Sequence, residues 1–157
     1  MKKNSIPLTK CIAFFLLLLF SVSACSPKMQ PKSETASLYA FDFVDSEQLM
    51  PVLAQAKAAN KFVFVDFYTT WCLPCRIMEE EVFTDKDLAG FINKHFISYR
   101  VDAEKGNGVN LATIFDIKAY PTLLFLDADG QVLVRREGAA SQTLFRQLAE
   151  QTQEAGE

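Results

Sequence analysis

The sequence predicts an α/β domain with a mixed central β-sheet flanked by helices. Residues 61–68 are nearly all apolar apart from Asp66, a pattern typical of a central strand covered on both faces. Along the chain, strand-like and helix-like patterns follow in the order strand, helix, strand, helix, strand, strand, helix, which favours an α/β arrangement. The last two strands flank a turn at residues 127–130 and predict an antiparallel hairpin, which makes the sheet mixed.

The first elements of this domain are expected to be short. Residues 39–43 alternate weakly between apolar and polar side chains, which predicts a short edge strand. A helix follows, because apolar residues recur at helical spacing at Leu49, Val52, Leu53 and Ala56. Asp45 or Ser46 could cap this helix. Pro51 is tolerated only in a first turn, so we expect the helix to begin close to Met50.

Two helical stretches follow the predicted central strand. The three glutamates at 79–81 are expected on the solvated face of the first stretch. Thr84 starts the second, which carries Leu88, Phe91, Ile92 and His95 on one face. His95 is the only histidine and could be a catalytic base, but we expect it instead to end a helix, where the dipole stabilises an imidazolium.

The remaining elements are predicted from alternation and turn signals. Residues 96–102 alternate as a strand, and residues 106–108 break the chain before a short helix carrying Leu111, Ile114 and Phe115. Residues 122–126 and 131–135 form the two hairpin strands. Ser141 is expected to cap a last helix with an inward face formed by Leu144, Phe145 and Leu148.

The first 24 residues predict a targeting segment. A basic start precedes residues 11–22, an apolar stretch too short for a comfortable membrane span. The stretch ends at Val22-Ser23-Ala24-Cys25, which resembles the bacterial lipoprotein signal, in which the cysteine is lipidated and becomes the first residue. We therefore expect a lipoprotein signal peptide at residues 1–24 and lipidation of Cys25. An ordinary secretory signal and an uncleaved anchor are the alternatives.

Behind this segment the chain divides into a tether and one domain. Residues 25–38 are polar and contain prolines, which predicts a flexible tether. Residues 39–157 are long enough for a single domain with a sizeable core, since half of the chain is apolar. Removing residues 1–24 leaves 13 basic against 19 acidic side chains, a net charge of −6, which argues against nucleic acid as a partner. We expect a monomer.

Two thiols three residues apart, Cys72 and Cys75, directly follow the predicted central strand. If a helix starts there, Cys72 lies at its exposed N-terminus, where unpaired N–H groups and the helix dipole favour a thiolate. With Cys11 removed and Cys25 lipidated, no other thiol is left for a structural framework. The motif predicts a reversible dithiol–disulfide pair outside the cytosol, with Cys72 attacking and Cys75 resolving.

Other uses of the cysteine pair fit the sequence less well. A structural zinc ion needs four ligands, and one thiol pair with a distant His95 does not supply them. Haem attachment would require a histidine after Cys75, where Arg76 stands. An inert structural disulfide stays open, although so small a ring stabilises little through loop entropy. We expect neither a metal ion nor another cofactor.

The wider sequence resembles the thioredoxin superfamily over roughly residues 41–151. Asp66, six residues before Cys72, stands where thioredoxins keep a buried carboxylate. The triplet Tyr120-Pro121-Thr122 resembles the cis-proline loop of the family, and Gly138 matches another family position before the last helix. This resemblance implies a thioredoxin fold.

A finer resemblance links residues 65–68 and 78–83 to the C-terminal domain of DsbD-type transmembrane reductant exporters, among secreted thioredoxin-like proteins. Asp66 would then accept the Cys75 proton, directly or through a water, since burial raises the pKa of a carboxyl. Family members often pair this carboxylate with a lysine. Arg100 is the equivalent here and would hold Asp66 ionised more firmly. A partly solvated aspartate at a strand end is the alternative.

The resemblance also implies a substrate groove. A cis Pro121 would set the backbone of Tyr120 beside the thiols, able to pair with an extended substrate strand. Trp71 and Tyr68 are expected to form an apolar shelf there, and Gly138 is expected to line the groove. Without the resemblance, Pro121 predicts only a turn, and both aromatic residues could be core.

Functions of different classes follow from these features. The first is a membrane-tethered thiol–disulfide oxidoreductase of the bacterial cell envelope, facing the periplasm or the exterior. We expect a reductase of envelope-protein disulfides that could take electrons from a transmembrane reductant exporter, because no histidine lies between the cysteines to stabilise a thiolate strongly. The alternatives are a binding or chaperone module without redox turnover, and a disulfide oxidase.

Overall fold

Residues 39–156 are described by the computed structural model and form a five-stranded mixed sheet flanked by helices. The strands are β1 (Phe43–Val44), β2 (Phe62–Tyr68), β3 (Phe96–Asp102), β4 (Thr122–Leu126) and β5 (Val132–Glu137). The helices are α1 (Leu49–Ala59), α2 (Leu73–Glu81), α3 (Lys86–His95), α4 (Gly108–Ile114) and α5 (Gln142–Ala155). The predicted fold class is confirmed.

Three predicted features of the N-terminal part lie outside the described residues. These are the signal peptide at residues 1–24, the tether at residues 25–38 and the lipidated Cys25. All three stay predictions. Within residues 39–156, no helix is long and apolar enough to cross a membrane.

The order of the strands, β1-β3-β2-β4-β5, places β2 at the centre of the sheet. β2 pairs in parallel with β3 and antiparallel with β4. β1 is parallel to β3, and β4 and β5 form the predicted antiparallel hairpin. Because β2 has a neighbour on each side, the chain that leaves its end at Tyr68 starts from a fixed point in the middle of the sheet.

Alternate residues of β2 face two separate apolar cores. One face holds Phe64 and is covered by α2, α3 and α5 through side chains such as Met78, Ile92 and Phe145. The opposite face holds Val65 and is covered by α1 and α4. Since strand side chains alternate in direction, Asp66 lies on the same face as Phe64, the face that α2 covers.

An aromatic cluster fills the core beneath α2. Phe64 lies at its centre, with ring centroids 4.8–6.4 Å from those of Phe41, Phe43, Phe83, Phe125 and Phe145. Burial of one phenylalanine side chain contributes about 1.5–3 kcal/mol, and ring pairs of this kind add about 0.5–1.5 kcal/mol. The cluster therefore gives α2 a well-packed base.

The start of α1 differs in part from the prediction. The helix begins at Leu49, one residue earlier than expected, and Pro51 lies in its first turn as required. The predicted cap by Asp45 or Ser46 is wrong, because the N-cap is Gln48 and makes no side-chain cap bond. The Ser46 hydroxyl instead bonds the backbone of Gln48 and closes a separate turn before the helix.

Other element ends are set by local polar contacts. Asp85 caps α3 by accepting from the Leu88 N–H at 2.7 Å, so the helix starts at Lys86 and not at Thr84. Ser141 caps α5, as predicted, by accepting from the Leu144 N–H.

The predicted edge strand is shorter in the structure than the sequence pattern indicated, and the short helix α4 is only partly buried. The edge strand is limited to Phe43–Val44 and does not extend over residues 39–43, because strand pairing with β3 begins only at Phe43. Ile114, placed on the predicted short helix, is 72% exposed, since the seven-residue helix α4 buries Leu111 and ends at Ile114.

Candidate active site

The two cysteines of the motif form a disulfide at the start of α2. The sulfur atoms are 2.06 Å apart and the Cα atoms 5.3 Å apart. Cys72 is the N-cap of α2, and its Sγ accepts a hydrogen bond from the Cys75 N–H at 3.2 Å. The predicted location of Cys72 at a helix N-terminus is confirmed, and unpaired N–H groups there favour negative charge on sulfur.

Both cysteines are buried, while the residues around them in the sequence are exposed. Cys72 is 3% exposed and Cys75 is 2% exposed, so the expected exposure of Cys72 is wrong for the disulfide form. The reason is a turn that folds Cys72 back onto the end of β2, where its N–H bonds the Thr69 carbonyl at 3.2 Å. Exposed apolar side chains flank the sulfurs at Trp71, Leu73 and Ile77.

Trp71 and Tyr120 form an aromatic wall beside the disulfide. Their rings meet edge to face with centroids 5.9 Å apart, and Trp71 Nε1 donates to Glu104 Oε2 at 3.0 Å. The Tyr120–Pro121 peptide bond is cis, as expected. The Pro121 carbonyl accepts from the N–H of Gly138, a glycine with a φ of +85°. The four predicted groove residues are thus joined by a continuous chain of contacts.

Asp66 is buried and paired with Arg100. The aspartate is 1% exposed, and Arg100 Nε donates to Asp66 Oδ2 at 2.9 Å. The two residues are register partners on the parallel strands β2 and β3. The pairing considered from the sequence is therefore present, and the alternative of a partly solvated aspartate is wrong.

Glu79 is a second acid on the same arginine, and it was not among the predicted site residues. Arg100 Nη2 donates to Glu79 Oε1 at 2.6 Å. The Tyr39 hydroxyl donates to Glu79 Oε2 at 3.2 Å and accepts from Arg100 Nη1 at 3.0 Å. The expectation that residues 79–81 are all solvated is therefore wrong for the first of them. The spacing in the sequence could have indicated this role for Glu79. Glu79 follows Cys75 by one helical turn, so it lies on the same face of α2 as that buried cysteine.

The Arg100 guanidinium also lies among four aromatic rings. It is 4.1–5.7 Å from the ring centroids of Tyr39, Phe43, Tyr68 and Phe83. Cation–π contacts contribute about 0.5–2 kcal/mol each, depending on desolvation. Because Tyr68 faces this cation, it does not form the predicted shelf with Trp71.

The proton affinities in this cluster are set by competing effects. Burial raises the pKa of Asp66 to about 6, against the opposing effect of Arg100 and with a smaller rise from the Glu79 charge. The expected effect of Arg100 is present but weaker than that of burial. Burial would lower the pKa of Arg100, but Asp66 and Glu79 raise it, so the guanidinium keeps its proton. A carboxyl with a pKa near 6 can exchange a proton close to neutral pH.

His95 ends α3, as predicted, but the predicted imidazolium is wrong. Burial lowers the pKa of His95, and the charges of Lys94 and Lys61 lower it further. Its Nδ1 lies 3.0 Å from Gln153 Nε2 on α5. These contacts give His95 a packing role between α3 and α5.

The two carboxylates beneath α2 are paired with an arginine side chain and are not arranged as metal ligands. Asp66 and Glu79 both accept from Arg100. In the part of the chain that the structure describes, no group of three or more His, Cys, Asp or Glu side chains could hold a metal ion.

Known proteins resemble this chain in sequence and in fold. Residues 49–153 match the family model of the thioredoxin-like domain. The chain is 33% identical over 100 residues to thioredoxin H4 of Arabidopsis thaliana, which covers 64% of this chain and 79% of that protein. It is 32% identical over 80 residues to the thiol:disulfide interchange protein DsbD 2 of Pseudomonas aeruginosa, covering 50% of this chain but 14% of that protein.

A solved structure of similar length supports the same family. A putative disulphide-isomerase from Bacteroides thetaiotaomicron superposes with a TM-score of 0.63 at 34% identity, covering 76% of this chain and 95% of that chain. The chain therefore belongs to the thioredoxin-like domain family and is a thiol–disulfide oxidoreductase of that family, with Cys72 and Cys75 as its Cys-x-x-Cys pair.

Proposed function

We propose that this protein is a membrane-tethered reductase of disulfides in bacterial envelope proteins. The observation that carries the proposal is the Cys72–Cys75 disulfide at the N-terminus of α2, with Cys72 as the helix cap. In this proposal Cys72 is the attacking sulfur, because the helix terminus favours its thiolate. Cys75, inside the first turn, is the resolving sulfur.

In the first step the Cys72 thiolate attacks one sulfur of a substrate disulfide. The other substrate sulfur leaves as a thiolate, and Cys72 is joined to the substrate in a mixed disulfide. The dipole of α2 stabilises the attacking thiolate. The Cys75 N–H, 3.2 Å from the Cys72 sulfur in the disulfide form, is positioned to donate to it.

In the second step Cys75 loses its proton and attacks the Cys72 sulfur, which releases the reduced substrate. Cys75 is 2% exposed, so bulk water is a poor acceptor. Asp66 lies on the sheet face that α2 covers, and Arg100 links it to Glu79, one turn beyond Cys75. With a pKa raised by burial to about 6, Asp66 is ionised at neutral pH and can take this proton directly or through a water.

The substrate is held by the exposed rim of the site. Trp71 is 66% exposed and Leu73 is 57% exposed, so both offer apolar area to a flexible segment of another protein. The backbone beside Tyr120 and Pro121 pairs with an extended substrate strand. Gly138, bonded to the Pro121 carbonyl at 2.8 Å, forms the far side of this groove.

The envelope setting is supported by the N-terminal sequence and by relatives. The Val22-Ser23-Ala24-Cys25 pattern follows a short apolar segment, as in bacterial lipoprotein precursors. DsbD relatives are thiol:disulfide interchange proteins of bacteria. An exporter of the DsbD kind is therefore our proposed electron donor, with the tethered protein acting as a monomer.

Single cysteine replacements test the assignment of the two sulfurs. Cys75→Ser should trap mixed disulfides with envelope proteins, because attack still occurs and resolution does not. Cys72→Ser should trap none. Non-reducing electrophoresis of the full chain, followed by mass spectrometry of the trapped partners, makes the comparison, and the reverse pattern would overturn the assignment.

Insulin reduction with dithiothreitol as donor provides the matching activity measurement. The wild-type chain should accelerate it, and Cys72→Ser should fall to the rate of dithiothreitol alone. Equal rates for wild type and Cys72→Ser would leave only the binding or chaperone function.

Asp66 should make the stability of the protein depend on pH. Its folded-state pKa of about 6 lies above the ordinary value of 3.8, so its protonated form favours folding. This contribution is fully present below pH 3.8 and is lost as pH rises through 6. Asp66→Asn should therefore gain stability relative to wild type across this range in urea denaturation. Glu80→Gln, which replaces an exposed acid on α2, should show no such trend, and a constant difference for Asp66→Asn would contradict the raised pKa.

The redox potential should be close to that of thioredoxin, about −270 mV, and far from that of the oxidant DsbA, about −120 mV. Strong oxidants stabilise the attacking thiolate with extra donors or positive charge. Here Leu73 is apolar, and Asp66 and Glu79 place negative charge beneath α2. Equilibration with glutathione measures the potential. A value near that of DsbA would favour an oxidase.

The mature protein should begin at a lipidated Cys25. Mass spectrometry of the mature N-terminus checks this expectation. Cys25→Ser serves as the control and should release the protein from the membrane fraction. An unmodified Cys25, or a chain that begins elsewhere, would remove the tether from the proposal while leaving the redox chemistry unaffected.

A further inference from the structure

The segment that carries the proposed substrate-binding backbone connects α4 to β4, at residues 115–121. Every residue from Ala112 to Tyr120 is at least partly exposed, so core packing holds this segment only weakly. Asp116 also adopts a left-handed conformation, with a φ of +51°, which is uncommon outside glycine and persists where surrounding groups hold it. The position of the Tyr120 backbone therefore depends on the hydrogen bonds made to this segment.

Arg135 on β5 supplies two of these hydrogen bonds. Its Nη1 donates to the Phe115 carbonyl at 2.7 Å, and its Nη2 donates to the Asp116 carbonyl at 2.8 Å. Both carbonyls follow the last turn of α4, which contains no basic residue of its own. Arg135 thus brings to this helix C-terminus the positive charge that stabilises one. Hydrogen bonds from a charged donor are roughly twice as strong as those between neutral groups.

Glu137 holds the Arg135 guanidinium in this orientation. Glu137 Oε1 accepts from Arg135 Nε at 3.3 Å and from Nη2 at 3.1 Å. The two residues are two positions apart on β5 and so point to the same face of the sheet. Leu124, the register partner of Arg135, belongs to the core that α1 and α4 cover. Arg135 therefore faces the side of the sheet on which α4 lies.

Strand β5 and the residue that follows it hold the segment at both ends. Arg135 bonds its start, and the Gly138 N–H donates to the Pro121 carbonyl at its end, at 2.8 Å. Tyr120 lies between these points and packs edge to face against Trp71. Without Arg135 the segment would be held by β5 at one end alone, and the Tyr120 backbone would gain freedom to move.

We propose that Arg135 is a positioning residue that holds the Tyr120–Pro121 backbone ready to pair with an extended substrate strand. It thereby favours disulfides in polypeptide chains over small disulfides. This inference rests on the proposed function and adds a residue that determines its substrate class. A polypeptide substrate uses the backbone of the groove, so its affinity falls when the groove must be ordered on binding. A small disulfide without a peptide backbone makes no such use of the groove.

Arg135→Met tests the proposal, since methionine keeps an unbranched side chain and removes every donor. The full chain carries Cys11→Ser and Cys25→Ser, so that only Cys72 and Cys75 have thiols. Oxidation of the pre-reduced protein is followed by the loss of free thiol. The insulin concentration that gives the half-maximal rate should rise about tenfold, roughly the factor that one hydrogen bond from a charged donor contributes. The maximal rate should not change.

A small substrate and a matched variant provide the controls. The rate with bis(2-hydroxyethyl) disulfide, which has no peptide backbone, should be the same in Arg135→Met and wild type. Arg136→Met removes the same charge from the next residue, which is exposed and points to the opposite face of β5. This variant should keep the wild-type behaviour with insulin. Arg135→Lys keeps the charge without the planar guanidinium and should lie between wild type and Arg135→Met.

Amide hydrogen exchange separates positioning of the segment from a direct contact with substrate. The Ile117 N–H bonds the Ala112 carbonyl at 2.8 Å, and the Gly138 N–H bonds the Pro121 carbonyl. Both amides should exchange faster in Arg135→Met than in wild type, because the segment between them is less restrained. In Arg136→Met both amides should exchange at the wild-type rate.

Three results would overturn the proposal. One is an unchanged insulin dependence in Arg135→Met. Another is an equal loss of rate with insulin and with bis(2-hydroxyethyl) disulfide, which would indicate a damaged redox centre. The third is weaker insulin binding with unchanged amide exchange, which would assign Arg135 a direct contact with substrate. If Arg135→Met does not fold, Arg135→Lys decides by the same criteria. Failure of the wild-type protein to reduce insulin would remove the proposed function and this inference together, whereas a failure confined to the Arg135 variants leaves that function in place.

Discussion

The largely buried guanidinium of Arg100, whose side chain is 13% exposed, is the constraint on which the site depends. A cation removed from water must be paired with acceptors, and Arg100 finds them in Asp66 on the sheet and Glu79 on α2. The Tyr39 hydroxyl closes the arrangement by contacting both Arg100 and Glu79. Since Glu79 lies one turn after Cys75, the contacts that satisfy the arginine also fix α2, and with it the second sulfur, over the sheet.

The net charge of this cluster makes the two sulfurs differ in how readily each one ionises. Two carboxylates face one guanidinium that does not lose its proton, so the cluster is net negative whenever Asp66 is ionised. Negative charge beneath α2 disfavours a thiolate on Cys75, whereas the N-terminus of the same helix favours one on Cys72. In the proposed mechanism Cys72 therefore ionises first, and Cys75 keeps its proton until Asp66 takes it. This asymmetry gives the exchange its order.

The features that were predicted correctly from the sequence are those that a few neighbouring residues determine. The central strand, the hairpin turn and the Ser141 cap were predicted because a few neighbouring residues decide each of them. Glu79 was assigned to solvent because its partner Arg100 lies 21 residues away, and only the packing of α2 on the sheet brings them together. The burial of Cys72 was missed because a backbone turn to the Thr69 carbonyl, and not the helix position, decides it.

Stability alone does not account for an ion pair in this position. Replacing a buried ion pair by apolar residues of similar volume is often neutral or stabilising, by up to about 4 kcal/mol. Such apolar residues would pack here against the adjoining aromatic cluster around Phe64. Burial raises the pKa of Asp66 to about 6. Keeping Asp66 ionised in the folded protein therefore lowers the free energy of unfolding. Glu79 could not replace it, since it is partly exposed and already accepts from two donors. The proposed proton transfer from Cys75 gives a reason for a buried carboxylate here that folding does not.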